Sequence, residues 1–117
     1  MKSSEILDCI DRMYKDLPFK SEDGRLIYVS DKFNCLINSC ELFDKAIFKQ
    51  PGIFSVEEYD WFLINTLKYL ESIDLNEFKS KSKSLDKSSK EILLRIFDRL
   101  NSKFSNISFS EFVLTLI

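Results

Sequence analysis

Apolar side chains recur every three or four residues along most of the chain, the spacing that gathers them on one face of an α-helix. In residues 3–17 the recurring positions are Ile6, Ile10, Met13 and Leu17. Pro18 follows, and a proline disfavours the helical conformation of the residue before it. The pattern therefore predicts a first helix over residues 3–17.

The same spacing predicts three further long helices, over residues 30–49, 55–73 and 86–103. The second of the four begins at Ser30, a residue type favoured as an N-cap. The third opens with a capping box of Ser55 and Glu58, in which each side chain bonds the main-chain N–H of the other residue. This capping box is the clearest local signal in the sequence.

The remaining segments are shorter. A second capping box, Ser108 with Glu111, predicts a short helix that reaches residue 117. Residues 25–29 fit either a short strand or the approach to a helix. Residues 79–85 alternate Lys with Ser and predict a flexible linker. The expected fold is all-α: one helical domain over residues 1–117, a compact bundle of about five helices with at most one short extended segment.

Composition agrees with a globular protein of one domain. The chain has 117 residues, of which 44% are hydrophobic, and a net charge of −2. No apolar run approaches the ~20 residues that span a bilayer, and the first residues lack the apolar stretch of a signal peptide. The three cysteines, Cys9, Cys35 and Cys40, are an odd number at low density. We therefore expect a cytoplasmic protein in a reducing compartment.

Catalytic and metal-binding residue patterns are weak. The chain has no histidine, so catalysis by a nucleophile and a histidine base is excluded. Cys35 and Cys40 lie about 140° apart around a helix, which does not suit one metal ion, and Cys40 falls on the apolar stripe. The acidic pairs Glu57–Glu58 and Glu22–Asp23 are ordinary for a solvated surface. We expect no enzyme activity, no metal and no cofactor.

The segment 100–111 resembles half of an EF-hand. It has twelve residues, with Ile107 at position eight and Glu111 at position twelve. The positions that supply calcium ligands hold Leu100, Ser102 and Phe104, so no calcium site is predicted.

Charge is distributed unevenly along the chain. Residues 79–103 carry eight basic against three acidic side chains, a net charge of +5, whereas residues 1–78 carry a net charge of −6. The basic segment suits contact with phosphates, which makes a nucleic-acid-binding regulator one interpretation. Its candidate contacts are Lys79, Lys81, Lys83, Lys87 and Lys90. The acidic remainder suits a basic protein partner instead.

Trp61 favours the protein partner. With Leu63 at the centre of the apolar face, Trp61 lies about 160° away around the third helix. Its neighbours on that side are Glu57, Glu58, Asn65 and Tyr69, and the second helix offers Glu41 and Asp44. The helix is either buried on both faces, or it exposes aromatic side chains among acids, the composition of an interface hot spot.

The function expected from these patterns is protein binding without catalysis. The most specific version is an inhibitor or immunity-type protein that covers a basic toxin or nuclease surface with its acidic, aromatic-containing patch. The alternatives are the nucleic-acid-binding regulator and a viral or host-interaction subunit that accepts a partner helix in an apolar groove. The patterns do not identify the partner or the oligomeric state.

Overall fold

The computed structural model describes residues 1–104 and residue 116, and in this part of the chain it has five helices and one two-stranded antiparallel sheet. The elements in chain order are α1 (Ser3–Tyr14), β1 (Phe19–Lys20), β2 (Leu26–Ile27), α2 (Lys32–Lys49), α3 (Val56–Glu71), α4 (Leu75–Ser82) and α5 (Lys87–Phe104). The predicted helical bundle with one short extended segment is confirmed. The helix predicted to begin near residue 108 and the EF-hand-like segment beyond residue 104 lie outside the described residues.

Helix α1 ends three residues earlier than its apolar pattern predicts. Asp16 takes a left-handed conformation with φ of 61°. The Asp16 N–H then donates to the Met13 carbonyl at 3.2 Å, and the Leu17 N–H to the Arg12 carbonyl at 2.9 Å. These two bonds form a Schellman motif, which satisfies the last carbonyls of the helix. An Asp tolerates this conformation better than most residues, so it ends the helix before Pro18 does.

The N-terminal caps explain where α2 and α3 begin. Asp31, not Ser30, caps α2, and its carboxylate accepts a hydrogen bond from the Asn34 N–H at 3.1 Å. The capping box of α3 is confirmed: the Glu58 N–H donates to Ser55 Oγ at 3.1 Å, and the Ser55 N–H to Glu58 Oε1 at 2.9 Å. Both caps satisfy main-chain donors that a helix leaves unpaired.

The ambiguous segment near residue 26 is a strand. Leu26 pairs with Lys20, and Ile27 with Phe19, in an antiparallel hairpin. The Gly24 N–H donates to the Ser21 carbonyl at 2.9 Å. Gly24 has φ of 84°, the left-handed conformation that a three-residue hairpin loop needs at its last position.

The prediction of a flexible linker over residues 79–85 is wrong for residues 79–82, which belong to α4. Asp74 caps this helix by accepting from the N–H groups of Asn76 and Glu77. Phe78 is fully buried, with its ring edge-on to Phe33 at a centroid distance of 5.4 Å. The Lys/Ser composition gave no sign of this helix. Its two turns are held against the core by the Asp74 cap and the buried Phe78 ring.

The buried side chains form one cluster centred on α2. The ring of Phe43 is stacked between those of Phe54 and Phe62, at centroid distances of 4.4 and 3.8 Å. Leu116 also belongs to this cluster. Tyr14 on α1 and Trp61 on α3 pack against its edge, so the core fixes the distance between these two helices.

Replacing Phe78 by Ala tests whether α4 is a packed helix. We expect the substitution to lower the free energy of unfolding by about 3–5 kcal/mol, because it leaves a cavity in the core. Lys79→Ala, one residue away on the exposed face of α4, is the matched control and should change it by less than about 0.5 kcal/mol. Urea denaturation followed by circular dichroism measures both, and equal stability of the two variants would contradict the packed helix.

Candidate functional site

A groove of about 570 Å³ lies between α1 and α3. Helix α1 lines it with Ser4, Leu7, Asp8, Asp11 and Lys15, and helix α3 with Glu57, Glu58 and Trp61. We call it the acidic groove, because four of its eight lining side chains are carboxylates and one is a lysine. Trp61 is partly buried and packs against the hydrophobic core while lining the groove.

The carboxylates of the acidic groove differ in how they are paired. Asp11 is 2.9 Å from Lys15 Nζ, and Asp8 is 3.4 Å from Arg12 Nε, each within one turn of α1. Glu57 is exposed and forms no ion pair with any residue that the structure describes. Glu57 is therefore the carboxylate most available to a positively charged partner.

Glu58 has a structural role. The hydrogen bond from the Ser55 N–H, together with one from the Ser3 hydroxyl, lowers the pKa of the Glu58 carboxyl below its ordinary value. Its carboxylate thus closes the capping box of α3 and contacts the first residue of α1. A charge reversal at Glu58 would break the capping box, whereas one at exposed Glu57 would alter surface charge and oppose the helix dipole at the first turn of α3.

Two other residues predicted for the aromatic patch lie farther along α3. The Asn65 side chain donates from Nδ2 to the Trp61 carbonyl at 2.8 Å. The ring of Tyr69 is stacked on that of Tyr14 at 4.4 Å, and burial with a hydrogen bond to Cys35 raises the pKa of the Tyr69 hydroxyl. Tyr69 therefore joins α1 to α3 and does not line the acidic groove.

Glu41 and Asp44 lie at a different place in the fold, the contact of α2 with α5. The Ser89 hydroxyl donates to Glu41 Oε1 at 2.7 Å. Arg95 donates through both Nε and Nη2 to the Asp44 carboxylate, at 3.3 and 2.8 Å, and this hydrogen bonding raises the pKa of Arg95. Both acids are already engaged within the chain, so they are not part of the acidic groove.

Part of the basic segment pairs with acidic residues of the same chain. Lys81 Nζ lies 2.5 Å from Asp31 Oδ1 and 2.9 Å from Glu77 Oε1. Burial acts to raise the pKa of Asp31, but hydrogen bonds from Lys81 and from the Asn34 N–H outweigh it and lower the pKa overall. Lys103 pairs with Asp60 at 2.5 Å. These contacts tie α4 and α5 to the acidic part of the chain.

Four of the five lysines proposed as phosphate contacts remain exposed or weakly paired. Within the described residues Lys79, Lys83 and Lys90 form no ion pair, and Lys87 is 4.0 Å from Glu91. Lys79 lies in α4 and Lys83 directly follows this helix, whereas Lys87 and Lys90 lie in the first turn of α5. Lys81 is the exception, because it is paired with Asp31 and Glu77.

The cysteines do not form a reactive or metal-binding site. Cys9, Cys35 and Cys40 are all buried and unpaired. Burial raises the pKa of the Cys40 thiol well above its ordinary value, so the thiol stays protonated near neutral pH. Among the described residues there is no group of three His, Cys, Asp or Glu side chains placed to hold a metal ion.

Sequence reasoning missed the half of the acidic groove that α1 provides. Asp8 and Asp11 were visible as the polar face of an amphipathic helix, but nothing in the sequence indicates that this face borders Trp61. The contact depends on how α1 packs against α3. Helix periodicity alone does not determine that packing.

Comparisons of the chain with models of protein families, with curated proteins and with solved structures give no match. No helix within the described residues combines the length and the apolar character needed to cross a bilayer.

Comparing Glu58→Ala with Glu57→Ala tests the structural role of Glu58. We expect Glu58→Ala to lower the melting temperature at pH 7, because the capping box is lost, and Glu57→Ala to leave it unchanged. The stabilisation by Glu58 requires the carboxylate: it is present above the unfolded pKa of about 4.3 and is lost as pH falls through the lower folded pKa. The difference between Glu58→Ala and the natural chain should therefore shrink below about pH 4. Thermal unfolding from pH 7 to pH 3 measures this, and a constant difference would argue against the role.

Proposed function

We propose that the chain is a non-enzymatic protein-binding domain whose acidic groove takes a basic segment of a partner protein. The observation that carries the proposal is the position of Trp61 beside four carboxylates in one shallow, open groove. Glu57, with no ion pair among the described residues, adds a negative charge that no internal cation offsets.

The chemistry of the groove favours Arg or Lys side chains. An aromatic ring attracts a cation over its face, and carboxylates add hydrogen bonds and charge. Buried tryptophan side chains at the centre of an interface commonly carry much of the binding energy. Acidic residues around such an anchor also accelerate the encounter with a basic surface.

An inhibitor or immunity-type protein is the most specific form of this proposal. Such a protein acts by covering a basic toxin or nuclease surface, and that task requires a rigid scaffold with a complementary patch. The packed helical core and the acidic groove fit this requirement. Three buried, unpaired cysteines support action in a reducing compartment such as the cytoplasm.

The tryptophan fluorescence of the chain gives a direct test, because Trp61 is its only tryptophan. We expect titration with a basic, tryptophan-free amphipathic helical peptide to change this fluorescence, and an acidic peptide of equal length to have no effect. Glu57→Lys should weaken binding about tenfold and lower the melting temperature by only a few degrees, because a lysine in the first turn of α3 opposes the helix dipole. Glu71→Lys makes the same change in net charge at the exposed last residue of α3, outside the acidic groove; it is the control and should not weaken binding. Equal affinity of Glu57→Lys and the natural chain would contradict the proposal.

The same variants can identify a natural partner. A basic protein retained by the natural chain and by the Glu71→Lys control, but lost with Glu57→Lys, binds through the acidic groove. A protein retained by all three binds elsewhere. Nuclease treatment before capture removes proteins that are bridged by nucleic acid.

Nucleic-acid binding is a second candidate, favoured by the exposure of Lys79, Lys83 and Lys87 on neighbouring turns of α4 and α5. If these lysines contact phosphates, affinity for a generic duplex should fall steeply with salt. The double variant Lys79→Glu/Lys83→Glu should then flatten the plot of log K against log salt by about 2. Fluorescence anisotropy from about 25 to 200 mM salt measures this, and no binding at the lowest salt would rule this function out.

A further inference from the structure

The loop of the hairpin contains Asp23 followed by Gly24, which is the one place in the sequence where an Asp or Asn precedes a glycine. Such a pair is chemically labile. The glycine has no side chain, so its main-chain nitrogen can approach the carboxyl carbon of the preceding residue closely. Both residues are exposed to water. The loop is therefore the part of the chain most open to this reaction.

The reaction is isoaspartate formation, which needs no reactant other than water. The Gly24 nitrogen attacks Cγ, the side-chain carboxyl carbon of Asp23, and forms a new N–C bond. The carboxyl OH leaves with the N–H proton as water, which closes a five-membered succinimide ring. Water then opens this ring. Cleavage between the nitrogen and Cγ restores aspartate, whereas cleavage between the nitrogen and the main-chain carbonyl carbon of Asp23 gives isoaspartate of the same mass.

The main chain of the loop opposes ring closure. The Gly24 N–H donates to the Ser21 carbonyl at 2.9 Å, and neither Glu22 nor Asp23 has a positive φ. These two facts define a type I turn, in which ψ of the second central residue, Asp23, is near 0°. The Gly24 nitrogen is then about 120° in torsion from Asp23 Cβ, whereas the five-membered ring needs the two nearly eclipsed. Ring closure must therefore break the turn.

The side chain of Asp23 is also held in an unreactive form. Arg25 donates to its carboxylate twice, from Nε at 2.8 Å and from the main-chain N–H at 3.3 Å. The Ser21 hydroxyl donates to the same carboxylate. The hydrogen bonds from Ser21 and Arg25 lower the pKa of the Asp23 carboxyl below its ordinary value. The ionised carboxylate is a poor electrophile, because it has no OH that can leave as water.

We propose that Asp23 is the site at which this chain forms isoaspartate, and that the folded loop slows the reaction. Isoaspartate adds one carbon to the main chain between Lys20 and Leu26, which are paired across the hairpin. The Cys9 thiol of α1 donates to the Lys20 carbonyl at 3.3 Å. The modification therefore disturbs the packing of the hairpin against α1, and a loop that resists it preserves that packing.

Ageing of the full chain at neutral pH and physiological temperature tests the slowing. We expect isoaspartate at residue 23 to accumulate about tenfold more slowly in the folded chain than in the chain unfolded by guanidinium chloride, because folding fixes the main chain of the turn. Peptide mapping with electron-transfer fragmentation locates it, since the two isomers have equal mass but give different fragments. Asp23→Glu is the chemical control: its ring would have six members, so this position should not isomerise on the same timescale.

Two variants test the hydrogen bonds to the carboxylate. Arg25→Ala removes the guanidinium and Ser21→Ala removes the hydroxyl, and each leaves the main-chain bond between Ser21 and Gly24 in place. We expect each to form isoaspartate about threefold faster than the natural chain, the scale of one lost hydrogen bond. Lys79→Ala, on the exposed face of α4, is the control and should age as the natural chain does. Circular dichroism confirms that all three variants are folded.

Equal rates in the folded and the unfolded chain would overturn the proposal. Ageing of both Arg25→Ala and Ser21→Ala at the natural rate would do the same, and so would isoaspartate that appears first at another residue of the unfolded chain. Glu57→Lys should age as the natural chain does, so failure of the acidic groove leaves this proposal intact.

Discussion

The contact of Tyr14 with α3 is the interaction on which the candidate site depends. The Tyr14 ring is stacked on Tyr69 at 4.4 Å, and its hydroxyl is hydrogen-bonded to that of buried Thr66 at 2.9 Å. Burial raises the pKa of Tyr14 well above its ordinary value, so the hydroxyl stays neutral and keeps this bond. At the other end of the two helices, Ser4 of α1 and Glu58 of α3 line the same groove. The contact of Tyr14 with α3 therefore holds together the two helices that form the acidic groove.

Charge separation along the sequence becomes charge pairing in the fold. Asp31, Asp44 and Asp60 bind Lys81, Arg95 and Lys103 across 43 to 51 positions of the chain. Ion pairs on a surface contribute little energy one at a time. Their spacing along α2, α3, α4 and α5 nevertheless favours a single way of packing the basic helices against the acidic ones. The charges left over, at Glu57 and at the exposed lysines, are the ones available to a partner.

The sequence alone predicts the structural features that depend on interactions between residues close together in the chain. Capping at Ser55 and Glu58 defines the start of α3, and the apolar stripe identifies α2 and α5. Two local errors had local causes: a left-handed Asp16 shortened α1, and the Lys/Ser composition concealed the buried Phe78 of α4. The candidate site was only half predictable, because Glu57, Glu58 and Trp61 are close in sequence, whereas Asp8 and Asp11 reach them only through packing. Glu41, Asp44 and Tyr69 are the acidic and aromatic residue types expected of a binding patch. In the fold, however, each contacts other residues of the same chain.

The acidic groove and the hairpin are neighbours on α1. A second cavity of about 800 Å³ lies between α1 and the hairpin, and it shares Ser4 and Asp8 with the acidic groove. Helix α1 therefore forms the ridge between the groove and the strand that carries Leu26. Because Asp8 lines both, its carboxylate contributes negative charge to the cavity as well as to the acidic groove. The Cys9 thiol of α1 also donates to the Lys20 carbonyl of the hairpin at 3.3 Å. The position of the acidic side chains on α1 therefore depends on the packing of the hairpin as well as on the packing of α3.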